Sequence, residues 1–175
     1  LVKKYPITPP SEDWRRDLLR SVRDVDELVD ANLVSREDSE GLRGVIGRYK
    51  MQVSRHYLSL IDPRDPDCPI RLQAIPSKRE LQTMPWEMAD PIGDRVHSPT
   101  RLVVHRYPKK ALLFPTLLCP MYCRYCFRKA TLNGEPLGLV AGLEEAFTYL
   151  EQHPEVEEVI LTGGDPLSVS NRVLS

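Results

Sequence analysis

VEEVILTGGDP, residues 156–166, decides the fold class. An apolar, β-branched run closed by two glycines, an aspartate and a proline reads as a buried strand that ends in a tight turn. Ahead of it, Leu139, Leu143, Phe147 and Leu150 recur at helical spacing, and Pro154 terminates that helix. Two short strands precede the helix, Arg101 to His105 and Ala111 to Phe114, around a polar turn from Tyr107 to Lys110. Strand, loop, helix, strand is the opening of a βαβ unit, so a parallel α/β sheet or barrel begins here. Ligands in such folds bind at the carboxyl ends of the strands. Two loops occupy that position: the GGDP turn and LLCPMYCRYCFRK (117–129).

The first hundred residues have another character. Ser11, with Glu12 and Asp13 behind it, is a candidate N-cap for a helix carrying Trp14, Leu18, Val22, Val25 and Val29 on one face. Ser35 and Asp38 stand in capping spacing ahead of a second stripe: Leu42, Ile46, Tyr49, Val53, Tyr57 and Leu60. Pro63, Pro66 and Pro69 predict an extended, non-helical stretch over DPRDPDCPIRLQ (62–73). Ser77 and Glu80 predict a short third helix. The expected organisation is a helical region with a Pro-rich connection over residues 1–100 and an α/β region over 101–175.

Composition narrows the function classes. Among 175 residues, 41% are apolar and 28% charged, as in an ordinary globular domain. A net charge of −1 gives no bulk electrostatic case for nucleic acid or an anionic membrane. No apolar run reaches the length of a membrane span, and no signal-peptide pattern opens the chain. Cys68 stands alone while the other three cysteines cluster, which is not a disulfide framework; a reducing cytoplasm is the expected location. The chain begins without Met and stops shortly after a strand-and-turn signal, so a fragment of a longer protein is expected.

Cys119, Cys123 and Cys126 lie within eight residues, interleaved with Arg124, Arg128 and Lys129. Those cations favour thiolates and partly offset an anionic cluster. Four readings are open. A structural zinc site needs a fourth ligand from Cys68, His56, His105 or His153, none at finger-like spacing. A redox dithiol would use Cys123 and Cys126. A buried cysteine stripe would sit poorly beside the basic residues. An iron–sulfur cluster can take three thiolates and leave one iron open to a substrate or cofactor.

The spacing C-x3-C-x2-C, with Tyr125 before the last cysteine and GGDP downstream, resembles the radical S-adenosylmethionine superfamily. DPRDPDCPIRLQAIPS (62–77), HRYP (105–108), CPMYCRYCFRK (119–129) and LTGGDPL (161–167) narrow the resemblance to the lysine 2,3-aminomutase family. It implies a helical leader followed by the start of an incomplete (β/α)6 radical-SAM barrel. It also implies that Cys119, Cys123 and Cys126 hold three irons of a 4Fe-4S cluster, whose fourth iron binds S-adenosyl-L-methionine. Tyr125, Gly163, Gly164 and Asp165 are then cofactor-binding, with the GGD turn receiving the amino group of S-adenosylmethionine. Arg106 and Tyr107 would lie near pyridoxal 5′-phosphate, and Arg128 would pair with the substrate carboxylate.

The implied activity is that of an isomerase, an amino-acid 2,3-aminomutase, in its simplest form L-lysine to L-β-lysine. Glutamate 2,3-aminomutase and an elongation factor P lysine-modifying relative are the enzyme alternatives; a zinc-binding structural module is the non-enzyme one. Implied partners are a small amino-acid substrate, an electron donor such as a flavodoxin or ferredoxin, and a second copy of the chain in a homo-oligomer. The lysine that binds pyridoxal phosphate is expected beyond Ser175. Phe127 replaces a small polar residue of the best-known lysine enzymes, and Lys110 replaces an arginine; both bear on the substrate or pyridoxal pocket. Pro115 falls at the end of the first barrel strand and removes a donor there.

Overall fold

The computed structural model describes residues 14–132 and 139–170. It is a mixed α/β structure with a three-stranded sheet and several helices. The chain forms two compact units by passing between them in four segments. The helical unit takes its described residues from Leu1–Glu87 and Pro120–Asn133, and the sheet unit from Met88–Cys119 and Gly134–Ser175. The predicted cap at Ser11 lies outside the described residues.

In the helical unit, the single helix expected from Trp14 to Val29 is two: α1 (Trp14–Leu19) and α2 (Val25–Asp30). Val22 is the reason. It forms an isolated antiparallel bridge with Val53, closed by two backbone hydrogen bonds of 2.9 and 3.0 Å, and both valines are fully buried. The helix restarts because the Asp24 carboxylate caps the Asp26 and Glu27 amides. Asn32, with φ 57°, follows its end in the left-handed region that asparagine tolerates.

The second expected helix breaks at the other side of that bridge, into α3 (Ser39–Arg48) and α4 (Arg55–Ser59). Ser35 Oγ does accept from the Asp38 amide, at 3.1 Å, as the capping spacing predicts. Ser54 caps α4 through the Tyr57 amide. The Pro-rich stretch is not wholly extended: α5 (Pro69–Ala74) starts at its third proline. Pro69 occupies the first helical turn, where its missing N–H has no helical partner to lose. The short helix at Ser77 is a 3-10 turn over Lys78–Leu81, with a complete capping box between Ser77 and Glu80. The core of this unit gathers Val22, Leu28, Leu33, Val53, Leu58 and Ala74, with Cys68 buried among them.

The sheet unit holds β1 (Val103–Tyr107), β2 (Lys110–Thr116) and β3 (Glu158–Gly163) in the order β1-β2-β3. β1 pairs antiparallel with β2, and β2 pairs parallel with β3 across Ala111↔Val159, Leu112↔Ile160 and Leu113↔Leu161. Between β2 and β3 runs α7 (Leu139–Glu151), which buries Ala146 against Leu102, Val104 and Phe114. The β-α-β order is the one the sequence predicts. Pro115 lies inside the central strand, and the β2–β3 register shifts between Leu113 and Thr116, as a residue without an amide donor requires. One expectation fails. β3 is not buried: Val159, Ile160 and Leu161 are each 42–45% exposed, and β3 pairs on one side only, with β2. Among the described residues no helix is long and apolar enough to cross a membrane.

Candidate functional site

The ends of the two parallel strands are sewn together. The Gly164 amide donates to the Thr116 carbonyl at 2.8 Å, and the Asp165 amide to the Leu118 carbonyl at 2.9 Å. Thr116 Oγ1 in turn accepts from the Leu118 amide at 3.0 Å. Both glycines are sterically required. Gly163 has φ +96°, and a Cβ there would lie 2.8 Å from Phe114 Cβ and from the Thr116 carbonyl oxygen. A Cβ on Gly164 would lie 2.3 Å from the Leu118 carbonyl oxygen and 2.7 Å from its nitrogen. The GGDP turn thus holds, backbone against backbone, the segment that delivers Cys119. Asp165 adds a local duty: its Oδ1 accepts the Leu167 amide at 3.0 Å and caps a 3-10 turn over Pro166–Ser168.

The rest of the cysteine loop belongs to the helical unit. Gln52 Nε2 donates to the Pro120 carbonyl at 3.3 Å, and the Gln52 carbonyl accepts the Tyr122 amide at 3.3 Å. The Arg124 amide donates to the Gln73 carbonyl at 2.9 Å. The turn carrying the last two cysteines closes through the Cys126 amide on the Cys123 carbonyl, 3.1 Å, and the Lys129 amide on the Cys126 carbonyl, 3.1 Å. α6 (Lys129–Leu132) follows.

Arg124 is the residue whose role the sequence hides. It is 8% exposed, and its Nε and Nη2 form a two-pronged pair with Glu80 at 3.1 and 2.7 Å. Its Nη1 donates to the Lys50 carbonyl at 2.9 Å. Lys129 Nζ reaches the same carboxylate at 3.4 Å and lies 4.4 Å from the centre of the Tyr49 ring. Two of the three cations beside the cysteines therefore converge on one carboxylate, which reduces the positive charge they offer to sulfur. Burial pushes the Glu80 carboxyl up, but the Arg124 hydrogen bonds, the Ser77 amide and both cationic charges outweigh it and hold the pKa below the ordinary value.

Cys119, Cys123 and Cys126 are outside any disulfide and of intermediate exposure, whereas Cys68 is buried. Tyr125 is 70% exposed, and its phenol pKa is raised, first by the charge of Cys123 and then by a hydrogen bond with it. Burial raises the Tyr57 pKa, and Cys123 and Cys68 add to it. Arg128 lies with its guanidinium carbon 4.7 Å from the centre of the Phe127 ring. Burial raises the Cys68 thiol pKa, yet the backbone N–H groups of Arg71, Asp62 and Ile70 bring it below the ordinary value.

Arg106 and Tyr107 stand at the other end of the sheet. They close β1 where β2 begins, while the GGD turn lies where β2 ends; six residue steps of strand separate these points by about 20 Å. Arg106 Nη2 donates to the Ile92 carbonyl. Tyr107 is 62% exposed. The two groups of predicted residues thus lie at opposite ends of the sheet. His105 and His153, considered as zinc ligands, form a cluster with Tyr149: His105 Nδ1 lies 2.8 Å from Tyr149 Oη, and the Tyr149 and His153 rings stack at 3.9 Å. Among the described residues no three His, Cys, Asp or Glu side chains converge as the ligands of a single metal ion do.

No family model matches the chain. It is 36% identical to the L-lysine 2,3-aminomutase of Clostridium subterminale over 163 residues, 93% of this chain and 39% of that protein. It is 32% identical to the L-lysine 2,3-aminomutase of Escherichia coli over 95% of this chain and 49% of that protein. It is 31% identical to the glutamate 2,3-aminomutase of Clostridioides difficile over 93% of this chain and 39% of that protein. The chain spans less than half the length of each of these relatives.

Proposed function

We propose that the chain, which is similar to L-lysine 2,3-aminomutases over 93% of its own length, is part of an amino-acid 2,3-aminomutase, in its simplest form one converting L-lysine to L-β-lysine. In this reading, residues 1–100 are the helical leader and 101–175 the opening of a (β/α)6 radical-SAM barrel, with residues 120–132 folded back on the helices. The single observation that carries it is the pairing of two parallel strand ends, one leading into three partly exposed cysteines and the other into Gly163, Gly164 and Asp165.

The donor set suits a 4Fe-4S cluster. Cys119, Cys123 and Cys126 supply three soft ligands and no fourth, and ligands on separate irons need not converge on one point. When bound, the cluster supplies electrons at low potential, S-adenosyl-L-methionine a carbon radical, and pyridoxal phosphate a carrier for the migrating amine. This chain's own residues bind and orient. Gly163, Gly164 and Asp165 would receive the amino group of S-adenosylmethionine through carbonyl or carboxylate oxygens, which accept from an ammonium, and Tyr125 stands beside Cys123. Arg106 and Tyr107, at the far end of β2, suit a phosphate and a ring. Arg128 suits the substrate carboxylate, because its planar fork matches two oxygens. The exposed ring of Phe127 beneath that guanidinium shields one face from water. The reaction also needs an external electron donor, a flavodoxin or ferredoxin, and a reducing cytoplasm suits its thiols.

Anaerobic reconstitution of the full-length protein tests the reading. A 4Fe-4S spectrum that changes on adding S-adenosylmethionine supports it. One tightly bound zinc and no cluster sinks it. Glutamate 2,3-aminomutase is the second reading, since such an enzyme is among the relatives. Following β-amino acid formation from lysine and from glutamate separates the two.

A further inference from the structure

We infer that Glu80 and Arg124 form a positioning clamp that holds the Cys123–Cys126 turn in a cluster-binding shape before any metal arrives. The inference rests on the reading above for what the cysteines bind, but not for the clamp itself. Neither residue carries a ligand atom, so both act through the loop.

The geometry is specific. Arg124 lies between the two cysteines in sequence, yet its side chain points away from solvent and is 7% exposed, while Glu80 is 11% exposed. A charged pair taken out of water is a poor source of stability compared with an apolar one, so its use at this point asks for another reason. The two-pronged contact supplies one. It fixes the guanidinium in plane, and the third hydrogen bond, to the Lys50 carbonyl, fixes it along the remaining axis. The Arg124 main chain is held at the same time, through its amide on the Gln73 carbonyl. Main chain and side chain of one residue are thus anchored to three residues far from it in sequence: Lys50, Gln73 and Glu80. Lys129 extends the clamp beyond the last cysteine, through Glu80 and the Arg124 carbonyl, each at 3.4 Å.

Glu80 is itself set beforehand. Its Oε1 closes the capping box on the Ser77 amide at 2.9 Å, so the carboxylate that receives Arg124 is oriented by a local turn. A loop whose thiolates must meet a rigid inorganic cluster gains from such preorganisation, because less chain entropy is lost on binding.

Amide hydrogen exchange of the full-length, metal-free protein tests this directly. In the wild type, the peptide spanning 120–129 is expected to exchange slowly at Tyr122, Arg124 and Cys126, although it is a loop. Fast exchange there overturns the clamp without any variant. In Glu80→Gln, exchange of that peptide should rise at least about tenfold, the factor that losing one charge-assisted hydrogen bond corresponds to, with α3 unchanged. Unchanged exchange overturns the inference. Arg124→Lys, which keeps the charge but loses the fork, should give a smaller rise and serves if Glu80→Gln does not fold. Ala146→Gly, at a fully buried helical site in the core of the sheet unit, is the control for general destabilisation. It should leave exchange at 120–129 and iron uptake at wild-type levels, whereas Glu80→Gln takes up less iron and gives a heterogeneous cluster spectrum. If the wild type shows the protected loop but binds no cluster, the functional reading fails and the clamp stands. A homogeneous wild-type cluster spectrum in Glu80→Gln overturns the clamp alone.

Discussion

Replacing Gly164 by alanine should destabilise the protein far more than one methyl group suggests. The added Cβ would stand 2.3 Å from the Leu118 carbonyl oxygen, 2.7 Å from its nitrogen and 2.8 Å from the Leu117 carbonyl carbon. All three are main-chain atoms, so no side-chain rotation relieves the clash. Overpacking of this kind costs roughly 1–3 kcal/mol. The movement that relieves it also strains the hydrogen bonds from the Gly164 and Asp165 amides, each contributing about 0.5–1.5 kcal/mol. The expected loss is therefore roughly 2–6 kcal/mol, a large part of the ~5–15 kcal/mol that holds a domain together. Urea unfolding of the full-length protein, followed by circular dichroism, reads it. Gly47→Ala is the paired measurement: it lies in α3 with nothing within 4 Å of its would-be Cβ. It should stabilise by ~0.5–1 kcal/mol, because alanine gives up less entropy in a helix. Gly164→Ala within about 0.5 kcal/mol of wild type would refute the close backbone packing of the two strand ends.

Glu80→Ala should cost about 3–5 kcal/mol in thermal or urea unfolding, because it leaves the Arg124 charge buried without its partner. The Glu80 pKa is lowered from 4.5 on folding, so its stabilisation is complete above about pH 4.5 and is lost as pH falls through the folded value. Unfolding curves of wild type and Glu80→Gln should converge in acid and diverge toward neutrality; parallel pH profiles would count against the lowered pKa. Serine at Cys119, Cys123 or Cys126 should abolish the reconstituted cluster spectrum, whereas Cys68→Ser should retain it. Retention of iron by any of the three loop variants would remove that residue from the ligand set. Arg128→Gln should raise the KM for the amino-acid substrate more than it lowers kcat, and an unchanged KM would exclude Arg128 from carboxylate binding.

Local signals were legible in the sequence, and long-range ones were not. The start signal of Ser77 and Glu80 is a four-residue pattern, and it forms as a capping box over a 3-10 turn. The β-α-β order follows from period and punctuation over about sixty residues, and it too appears. The break of two amphipathic stripes at Val22 and Val53 could not be seen, because each valine fits a helical face alone and only their pairing makes a bridge. The exposure of β3 was missed for a related reason: an apolar run reports what a strand can bury, not how many neighbours it has. The glycines of GGDP read as allowing close backbone approach, and such approach occurs within the chain, to Phe114 and Thr116 at Gly163 and to Leu117 and Leu118 at Gly164. Arg124 and Glu80 are 44 residues apart, and no local pattern links them.

The chain enters each of its two units twice. A consequence concerns how the protein is made and dissected. No single cut separates the units: a break after residue 87 strands the cysteine-bearing strap away from the helices it is tied to, and a break after residue 119 divides the strands of the sheet. During synthesis, Gln52, Gln73 and Glu80 must wait for their partners at Pro120, Tyr122 and Arg124 until the first two strands of the other unit have already emerged. Deletion mapping by contiguous pieces would therefore misreport this protein, scoring both halves as unfolded when only their interleaving has been cut.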